Sequence, residues 1–143
     1  MEIKQTILDK VNEWLSPTFD AATQNTIREM MTSAPKELEE SFYKNLEFGT
    51  GGMRGVMGVG TNRINKYTLG KNTQGLSNYL KKVFPGENLR VAIAYDCRHN
   101  SDTLAKVVAD VFSANGIQVF LFSELRTTPE LSFTVKHLKC HAG

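Results

Sequence analysis

Residues 89–122 read LRVAIAYDCRHNSDTLAKVVADVFSANGIQVFLF, and this stretch decides the fold. Its two ends, 89–95 and 117–122, are apolar and rich in β-branched residues, which is typical of buried strands. Between them, apolar residues recur at helical spacing over 104–112, and Asn115-Gly116 follows as a typical helix stop. A strand, a helix and a second strand in this order predict a largely parallel α/β layer.

The alternation continues with one more helix after residue 122. Thr128 is predicted to cap this helix and Pro129 to be its first residue. The whole pattern predicts a three-layer α/β domain with a mixed, mostly parallel sheet flanked by helices. The next element of such a layer is a strand. The domain is therefore expected to be truncated before its last strand, close to Gly143.

Upstream, the character of the chain changes at residue 48. Residues 1–47 carry five Lys/Arg against nine Asp/Glu, whereas residues 48–143 carry twelve against six. The first part shows three amphipathic helical patterns, one of them over 20–32. We therefore predict a helical N-terminal arm over 1–47 and an incomplete α/β domain over 48–143. Within the latter, 66–84 is a predicted helix whose inward residues are Leu69, Leu76, Tyr79, Leu80, Val83 and Phe84.

Composition narrows the functional classes. A net charge of +2 over 143 residues is too small to argue for nucleic acid. No apolar run approaches the ~20 residues of a membrane helix, and the N-terminus lacks the apolar stretch of a signal peptide. Cys97 and Cys140 have no metal-ligand spacing, so reduced cytoplasmic thiols and no metal site are predicted.

The glycine-rich segment 48–60, FGTGGMRGVMGVG, is the first candidate site. Its backbone can present N–H groups to phosphate oxygens, which makes Gly49 and Gly51 candidate phosphate-binding residues. Thr50 adds a hydroxyl, and Arg54 adds a guanidinium suited to bidentate phosphate binding. The alternative is a tight turn with a solvated arginine, and the residues alone leave both interpretations open.

A second candidate, DCRHNS at 96–101, follows the first predicted strand. Open α/β sheets hold ligands at the C-terminal ends of their strands, where Asp96 could orient Arg98 through an ion pair. Ser101 or Asn100 is predicted to cap the next helix, so a capping loop with a surface ion pair is the alternative. A third candidate, 126–129, lies at a helix N-terminus, where capping is the favoured interpretation.

The sequence predicts no chemical centre of its own. No serine lies in a nucleophile-elbow context, and no carboxylate cluster predicts a magnesium site. The chain is therefore expected to contain phosphate-binding residues but no catalytic nucleophile and no metal ligands.

Three motifs in order give this sequence a specific resemblance. Residues 48–55, FGTGGMRG, resemble the N-terminal signature of the α-D-phosphohexomutases, the phosphoglucomutase/phosphomannomutase family. Residues 57–65 and 95–101 resemble the branch that includes phosphopentomutase-type enzymes, and 119–122 followed by 127–129 match its third motif. The resemblance covers residues 46–143 and implies the N-terminal domain of a four-domain enzyme.

That resemblance implies an isomerase that interconverts sugar 1-phosphates with 6- or 5-phosphates by intramolecular phosphotransfer. A phosphoserine, Mg²⁺ and a sugar bisphosphate are implied for the full-length cytoplasmic enzyme. The serine is expected to follow Gly143. The fragment itself is therefore expected to hold no cofactor and to be inactive.

The resemblance also implies roles for the candidate residues. Arg54 is implied as a charge partner near the phosphoserine. The floor of its loop is implied to be shaped by Gly49, Thr50 and Gly51. The remaining two residues, Asp96 and Arg98, are implied to support the serine loop.

A stand-alone binding or assembly module is the alternative function. In that case an exposed sheet edge is expected to favour self-association. An unrelated phosphate-binding α/β domain is a third interpretation.

Overall fold

The computed structural model describes residues 4–49 and 51–143. Together these contain helices and short strands in the order α1 (Gln5–Trp14), α2 (Ala21–Ser33), α3 (Pro35–Phe42), β1 (Phe48–Gly49), β2 (Gly52–Met53), α4 (Lys66–Val83), β3 (Arg90–Ile93), α5 (Ser101–Ala114), β4 (Gln118–Leu121) and α6 (Thr128–His137). This order confirms the predicted α/β class. The chain divides into two compact units, residues 1–68 and 69–143.

The first unit is built around an aromatic and aliphatic core. Helices α1, α2 and α3 bury one face each, because their apolar residues recur every three or four positions. Trp14 packs edge-on against Phe42 and Tyr67, with 5.5 Å between ring centroids in both pairs, and stacks on Phe19 at 4.6 Å. The buried side chains of this core are Ile7, Val11, Trp14, Ile27, Met30, Leu38 and Phe42.

Asp20 caps α2 and joins it to the start of α4. Its Oδ1 accepts a hydrogen bond of 2.9 Å from Thr23 N, and its Oδ2 lies 2.8 Å from Lys66 Nζ and accepts a 2.5 Å bond from the Tyr67 hydroxyl. The Lys66 ammonium, followed by the Tyr67 hydroxyl, holds the pKa of Asp20 well below its ordinary value. Asp20 is therefore a charged N-cap that also ties the arm to a later helix.

Removing this cap is expected to weaken the first unit. The Asp20→Ala variant should lose about 1–2 kcal/mol of unfolding free energy, whereas Asp20→Asn keeps a cap acceptor and should lose less. Because folding lowers the pKa of Asp20, its negative charge contributes fully to the unfolding free energy above the unfolded-state pKa of about 4. That contribution fades as the pH falls further. Urea unfolding followed by the fluorescence of Trp14 tests this at several pH values. The difference in unfolding free energy between the native chain and the Asp20→Asn variant should shrink on acidification, and a difference that grows would contradict the prediction.

The second unit contains the parallel strand pair that the sequence predicts. Strands β3 and β4 run parallel, with Arg90 opposite Gln118 and Ile93 opposite Leu121. Helix α5 connects them and ends at Ala114, with Asn115 as its C-cap and Gly116 at φ 73°, which confirms the predicted stop. The buried core beneath these strands consists of Leu80, Leu89, Val91, Phe112 and Ile117.

The strands form two separate sheets instead of the single mixed sheet that was expected. Strands β1 and β2 form an antiparallel pair, and β3 and β4 form a parallel pair. Two residues per strand leave β1 and β2 too short to extend a larger ladder. On its other edge β3 pairs with the end of the chain, through a parallel bridge between Val91 and Ala142.

The prediction of which α4 residues face inward is partly wrong. Leu80 is buried, but Leu76, Tyr79 and Val83 are exposed. A helical stripe becomes a core only where another element covers it, and in the described part of the chain only some positions of this stripe are covered. None of the described helices combines the length and hydrophobicity that crossing a membrane would need.

Candidate functional site

The glycine-rich segment folds as a tight hairpin in the first unit. Strand β1 pairs with β2, with Phe48 opposite Met53 and Gly49 opposite Gly52. Gly51 has φ 78° and Gly52 φ 113°, backbone conformations that glycine adopts without strain. A side chain added at Gly51 would meet nothing within 4 Å, so the backbone at the turn is open to an approaching ligand. Thr50 lies outside the described residues.

Arg54 leaves this hairpin as an exposed cation. Within the described residues its guanidinium has no hydrogen bond or ion pair. At the next residue, Gly55, an added Cβ would stand 2.8 Å from Leu46 Cδ1, the mobile end of a leucine side chain. The arginine side chain therefore keeps its full hydrogen-bonding capacity for a ligand.

The second loop places Asp96 and Arg98 together after β3. Asp96 Oδ1 accepts a 3.1 Å hydrogen bond from the Arg98 backbone N–H, and Asp96 Oδ2 accepts a 2.8 Å bond from Arg98 Nε. The Arg98 guanidinium lowers the pKa of the Asp96 carboxyl, and the carboxylate in turn raises the pKa of Arg98. The ion pair predicted from the sequence is therefore present, and both partners are charged at neutral pH.

The pair uses only one side of the arginine. Asp96 engages Arg98 through Nε and the backbone, and within the described residues the two Nη groups have no hydrogen-bond partner. The Arg98 side chain is 84% exposed. The contacts of Asp96 with Nε and the backbone N–H therefore orient the Arg98 guanidinium. Its two Nη groups remain exposed, and they match two oxygens of a phosphate.

Capping of α5 differs from the prediction in detail. Asn100 occupies the N-cap position with a left-handed backbone at φ 59°, but its side chain makes no capping bond. Ser101 instead accepts a 3.3 Å hydrogen bond through Oγ from Asp96 N. Asn100 is therefore the N-cap by position, as one of the two predicted residues, but neither Asn100 nor Ser101 supplies a side-chain cap.

The third candidate proves to be a helix cap. Thr127, not Thr128, is the N-cap of α6, and Glu130 accepts hydrogen bonds of 2.9 and 3.0 Å from the Thr127 N–H and Oγ1. These bonds lower the pKa of Glu130. The predicted cap was wrong by one position because the glutamate at the third helical position selects its partner three residues earlier.

Arg126, next to this cap, is already occupied. Its Nη1 donates to Leu125 O at 2.7 Å and contacts Glu124 Oε2 at 3.3 Å, and its Nε lies 3.8 Å from Glu130 Oε1. Its backbone N–H also donates to Tyr95 O at 3.1 Å. Because two carboxylates compensate the positive charge of this arginine, it is poorly suited to hold an anion. Its backbone bond links the segments that follow β3 and β4.

A shallow cleft opens where β3 and β4 end. It measures about 470 Å³ and is lined by Tyr95, Asp96, Cys97, Arg98, Asp102, Glu124 and Leu125. The sequence did not predict the lining by Glu124 and Leu125. The signal was available, because two parallel strands place their C-terminal ends at the same edge of a sheet.

The described residues contain no group of three or more His, Cys, Asp or Glu side chains that could hold a metal ion. Cys97 and Cys140 are free thiols, and burial raises the pKa of Cys140. The candidate residues therefore form two sets, each within its own unit: Gly49, Gly51 and Arg54 in the first, and Asp96 with Arg98 in the second.

The fold and these loops define an α/β domain that presents arginines from a glycine-rich hairpin and from the end of a parallel strand. The family model described as "Phosphoglucomutase/phosphomannomutase, alpha/beta/alpha domain I" matches residues 45–143. The chain belongs to this family. The match confirms the resemblance carried by the three sequence motifs.

Curated relatives agree with this assignment. A phosphoglucomutase of Staphylococcus haemolyticus is 40% identical over 73% of this chain and 19% of its own length. Phosphopentomutases of Mus musculus and Homo sapiens are each 35% identical over 92% of this chain, and over 22% and 23% of their own lengths. The chain thus spans about a fifth of these relatives. No solved structure gives a significant match.

Proposed function

We propose that this chain is domain I of a longer phosphosugar mutase, called here the parent mutase. The proposed reaction is an intramolecular phosphotransfer that interconverts a sugar 1-phosphate with its 6- or 5-phosphate. The observation that carries the proposal is the family match over residues 45–143, together with relatives named phosphoglucomutase and phosphopentomutase. Glucose, mannose and pentose phosphates are all candidate substrates.

In the proposed chemistry, a phosphoserine of the parent mutase transfers its phosphoryl group to a free hydroxyl of the sugar monophosphate. As the new P–O bond forms, the P–O bond to the serine oxygen breaks, and the proton lost by the sugar hydroxyl is balanced by one taken up by the serine oxygen. The resulting bisphosphate turns around and returns its other phosphoryl group to the serine. Such transfers depend mainly on positioning and on neutralising the charge of the phosphoryl oxygens.

The residues of this chain supply positioning and charge. Arg54 is proposed to face the phosphoserine, since it is exposed and has no partner within the described residues. Gly49 and Gly51, with Thr50 between them, are proposed to form the floor that phosphate oxygens approach. Arg98 is proposed to present its Nη groups to the serine loop or its phosphate, with Asp96 fixing the orientation of the guanidinium.

Magnesium is implied for the parent mutase at the level of the family. The donor set in the described part of this chain does not fit it, since no suitable cluster of ligands is present there. We therefore assign no magnesium ligand to these residues. A sugar bisphosphate is likewise proposed as a cofactor of the parent mutase and not of the fragment. Two free cysteines are consistent with a proposed cytoplasmic location.

The experiment that tests the proposed function is an assay of the complete reading frame that contains this sequence. Glucose 1-phosphate, mannose 1-phosphate and ribose 1-phosphate are offered separately, and the isomerised phosphate is followed by a coupled oxidation or by ³¹P NMR. Turnover of at least one substrate is expected. Absence of turnover on all three, with a folded protein, would overturn the proposal.

The 143-residue fragment is expected to be inactive in the same assay. Its arginines are proposed to bind phosphate oxygens, but its described residues contain no cluster of metal ligands, and none of its serines is assigned the role of the phosphoserine. The measurement is the ³¹P spectrum of glucose 1-phosphate after prolonged incubation with concentrated fragment and Mg²⁺. Appearance of glucose 6-phosphate above the protein-free control would contradict this expectation.

Self-association is the alternative function and has one observation in its favour. Only residues 141 and 142 of the described chain pair with the outer edge of β3, and Leu121, Leu125 and Phe133 are exposed near the strand ends or on α6. Light scattering at rising concentration should show dimers or larger species if this edge recruits another chain. A monomer at every concentration would exclude this function.

A further inference from the structure

Arg63 is a largely buried cation whose charge is poorly compensated. Its side chain is only 12% exposed, and its one ion-pair partner in the described part of the chain is Glu40, with 3.8 Å between Arg63 Nη2 and Glu40 Oε2. That distance is too long for a hydrogen bond, and the guanidinium makes no hydrogen bond with any described residue. Because taking a cation out of water is costly unless other groups satisfy it, this arginine has unused capacity for an anion.

The backbone at Arg63 is held in place by its neighbours. Asn62 N donates to Ser41 O at 2.9 Å, and Asn62 Nδ2 donates to Glu40 O at 3.1 Å, so this segment is fastened to α3. Arg63 O accepts a 2.8 Å hydrogen bond from the Thr68 hydroxyl. The base of the arginine side chain is therefore fixed before a ligand arrives, which lowers the entropic cost of binding one.

Arg63 lines a cavity of about 710 Å³ in the first unit, a volume typical of small-molecule sites. Lys4 and Lys36 line the same cavity and are exposed, and neither has a hydrogen bond or ion pair among the described residues. Three cations thus share the cavity with two carboxylates, and only Arg63 has a carboxylate partner there. The charged and aromatic residues of the lining are Lys4, Lys36, Glu39, Glu40, Tyr43 and Arg63.

We propose that this cavity binds a phosphate monoester of a polyhydroxylated molecule, such as a sugar phosphate. The planar fork of Arg63 matches two phosphate oxygens, and Lys4 and Lys36 add positive charge around them. The carboxylates of Glu39 and Glu40 can accept hydrogen bonds from the hydroxyls of the ligand. The same carboxylates repel additional negative charge, so the lining favours one phosphate group over a polyphosphate.

Tyr43 adds an aromatic surface to this mostly polar cavity. Its side chain is exposed, so the ring can pack against the C–H groups of a ligand while its hydroxyl donates or accepts a hydrogen bond. None of the residues proposed to act in the phosphotransfer lines this cavity. The inference therefore concerns a second ligand site and does not depend on the proposed reaction.

The site can be tested by NMR titration of the ¹⁵N-labelled 143-residue chain at constant ionic strength. Glucose 6-phosphate is the probe, and inorganic phosphate and glucose are the comparison ligands. Glucose 6-phosphate should shift the signals of Arg63 Nε–H and of the Asn62 side-chain amide to saturation. Inorganic phosphate lacks the hydroxyls and should bind at least about threefold more weakly, and glucose should leave both signals unchanged.

Variants then identify the groups that bind the probe, with the Asn62 side-chain amide as the readout. Arg63→Gln should raise the Kd for glucose 6-phosphate at least about tenfold. Lys36→Gln should raise it about two- to threefold, and this exposed side chain has no partner among the described residues whose loss would disturb the fold. Arg28→Gln on α2 is the matched control and should leave the Kd unchanged. Arg54→Gln removes the candidate arginine of the hairpin and should also leave the response at Asn62 unchanged.

The proposal makes the location and the chemistry of binding separately testable. A response to glucose 6-phosphate at Arg54 or Arg98 with none at Arg63 and Asn62 would overturn the proposed location. A Kd that stays the same in both Arg63→Gln and Lys36→Gln would overturn the role of the cations. Equal affinity for inorganic phosphate and glucose 6-phosphate would overturn the assignment to a polyhydroxylated ligand.

Discussion

Replacing Gly60 with alanine is expected to destabilise the first unit by about 3 kcal/mol. Gly60 is buried and has φ 127°, a conformation that L-residues rarely adopt. An added Cβ would stand 2.4 Å from Ser41 O and 2.7 Å from Ser41 Cβ. Since one of those neighbours is backbone, the clash can be relieved only by moving α3 or the loop.

The consequences should extend beyond the glycine itself. Asn62 N donates to Ser41 O at 2.9 Å, and Asn65 Nδ2 donates to Gly60 O at 3.0 Å. The first bond fastens the segment after the glycine-rich hairpin to α3, and the second holds the turn at Gly60 closed. A shift at Gly60 would strain them together, so the effect should exceed that of a simple glycine-to-alanine change.

Urea unfolding followed by the fluorescence of Trp14 measures this loss, because that tryptophan lies in the core of the same unit. Gly49→Ala is the matched control: the nearest atom to an added Cβ is Gly52 O at an ordinary 3.6 Å. The control should change stability by less than about 1 kcal/mol. Equal midpoints for the two variants would show that the Gly60 packing is not as described.

The layered part of the fold could be predicted because its signals are local. Two apolar strands around a helix with a clear stop at Asn115-Gly116 leave little choice but a parallel pair. The burial of α4 could not be predicted in the same way. Leu76 and Leu80 look equivalent in the sequence, yet Leu76 is 39% exposed and Leu80 only 3%. What decides between them is which other element covers each position, and a single helical pattern does not contain that information.

The candidate site shows the same division between local and distant information. The pairing of Asp96 with Arg98 was predicted because the residues are two apart on one loop. The cap of α6 was placed at Thr128 instead of Thr127, because two adjacent threonines satisfy the same rule until Glu130 distinguishes them. The need for glycine at position 60 depends on contact with Ser41, nineteen residues away, and no rule of local sequence predicts it.

The structure also distinguishes arginines that the sequence treats alike. Arg126 is compensated by Glu124 and Glu130, so its positive charge is largely used within the fold. Arg98 has one carboxylate partner on one side of its fork, and Arg54 has none within the described residues. Of these three arginines, Arg54 and Arg98 therefore have positive charge left to add at a phosphate in the proposed phosphotransfer.

In the parent mutase, Arg98→Ala is expected to lower kcat/KM about 100-fold, equivalent to about 2.7 kcal/mol of lost transition-state stabilisation. The guanidinium would act on phosphoryl oxygens and help to neutralise their negative charge in the transition state. Arg98→Lys should recover only part of the loss, because an ammonium lacks the planar fork. Arg28→Ala is the matched control and should leave activity unchanged, since the side chain of that exposed arginine of α2 bonds only with Asn25 and Gln24 among the described residues.

Asp96 is expected to act through Arg98, as a positioning residue. Asp96→Asn keeps the size of the side chain but removes the charge that holds Arg98 Nε at 2.8 Å, so kcat/KM should fall about tenfold. If the only role of Asp96 is to orient the guanidinium, the same substitution should have little further effect once Arg98 is alanine. The double-mutant cycle in the sugar-phosphate assay measures this coupling directly. Equal losses from Asp96→Asn in both backgrounds would mean that the carboxylate contributes independently, and the proposed division of roles between the two residues would be wrong.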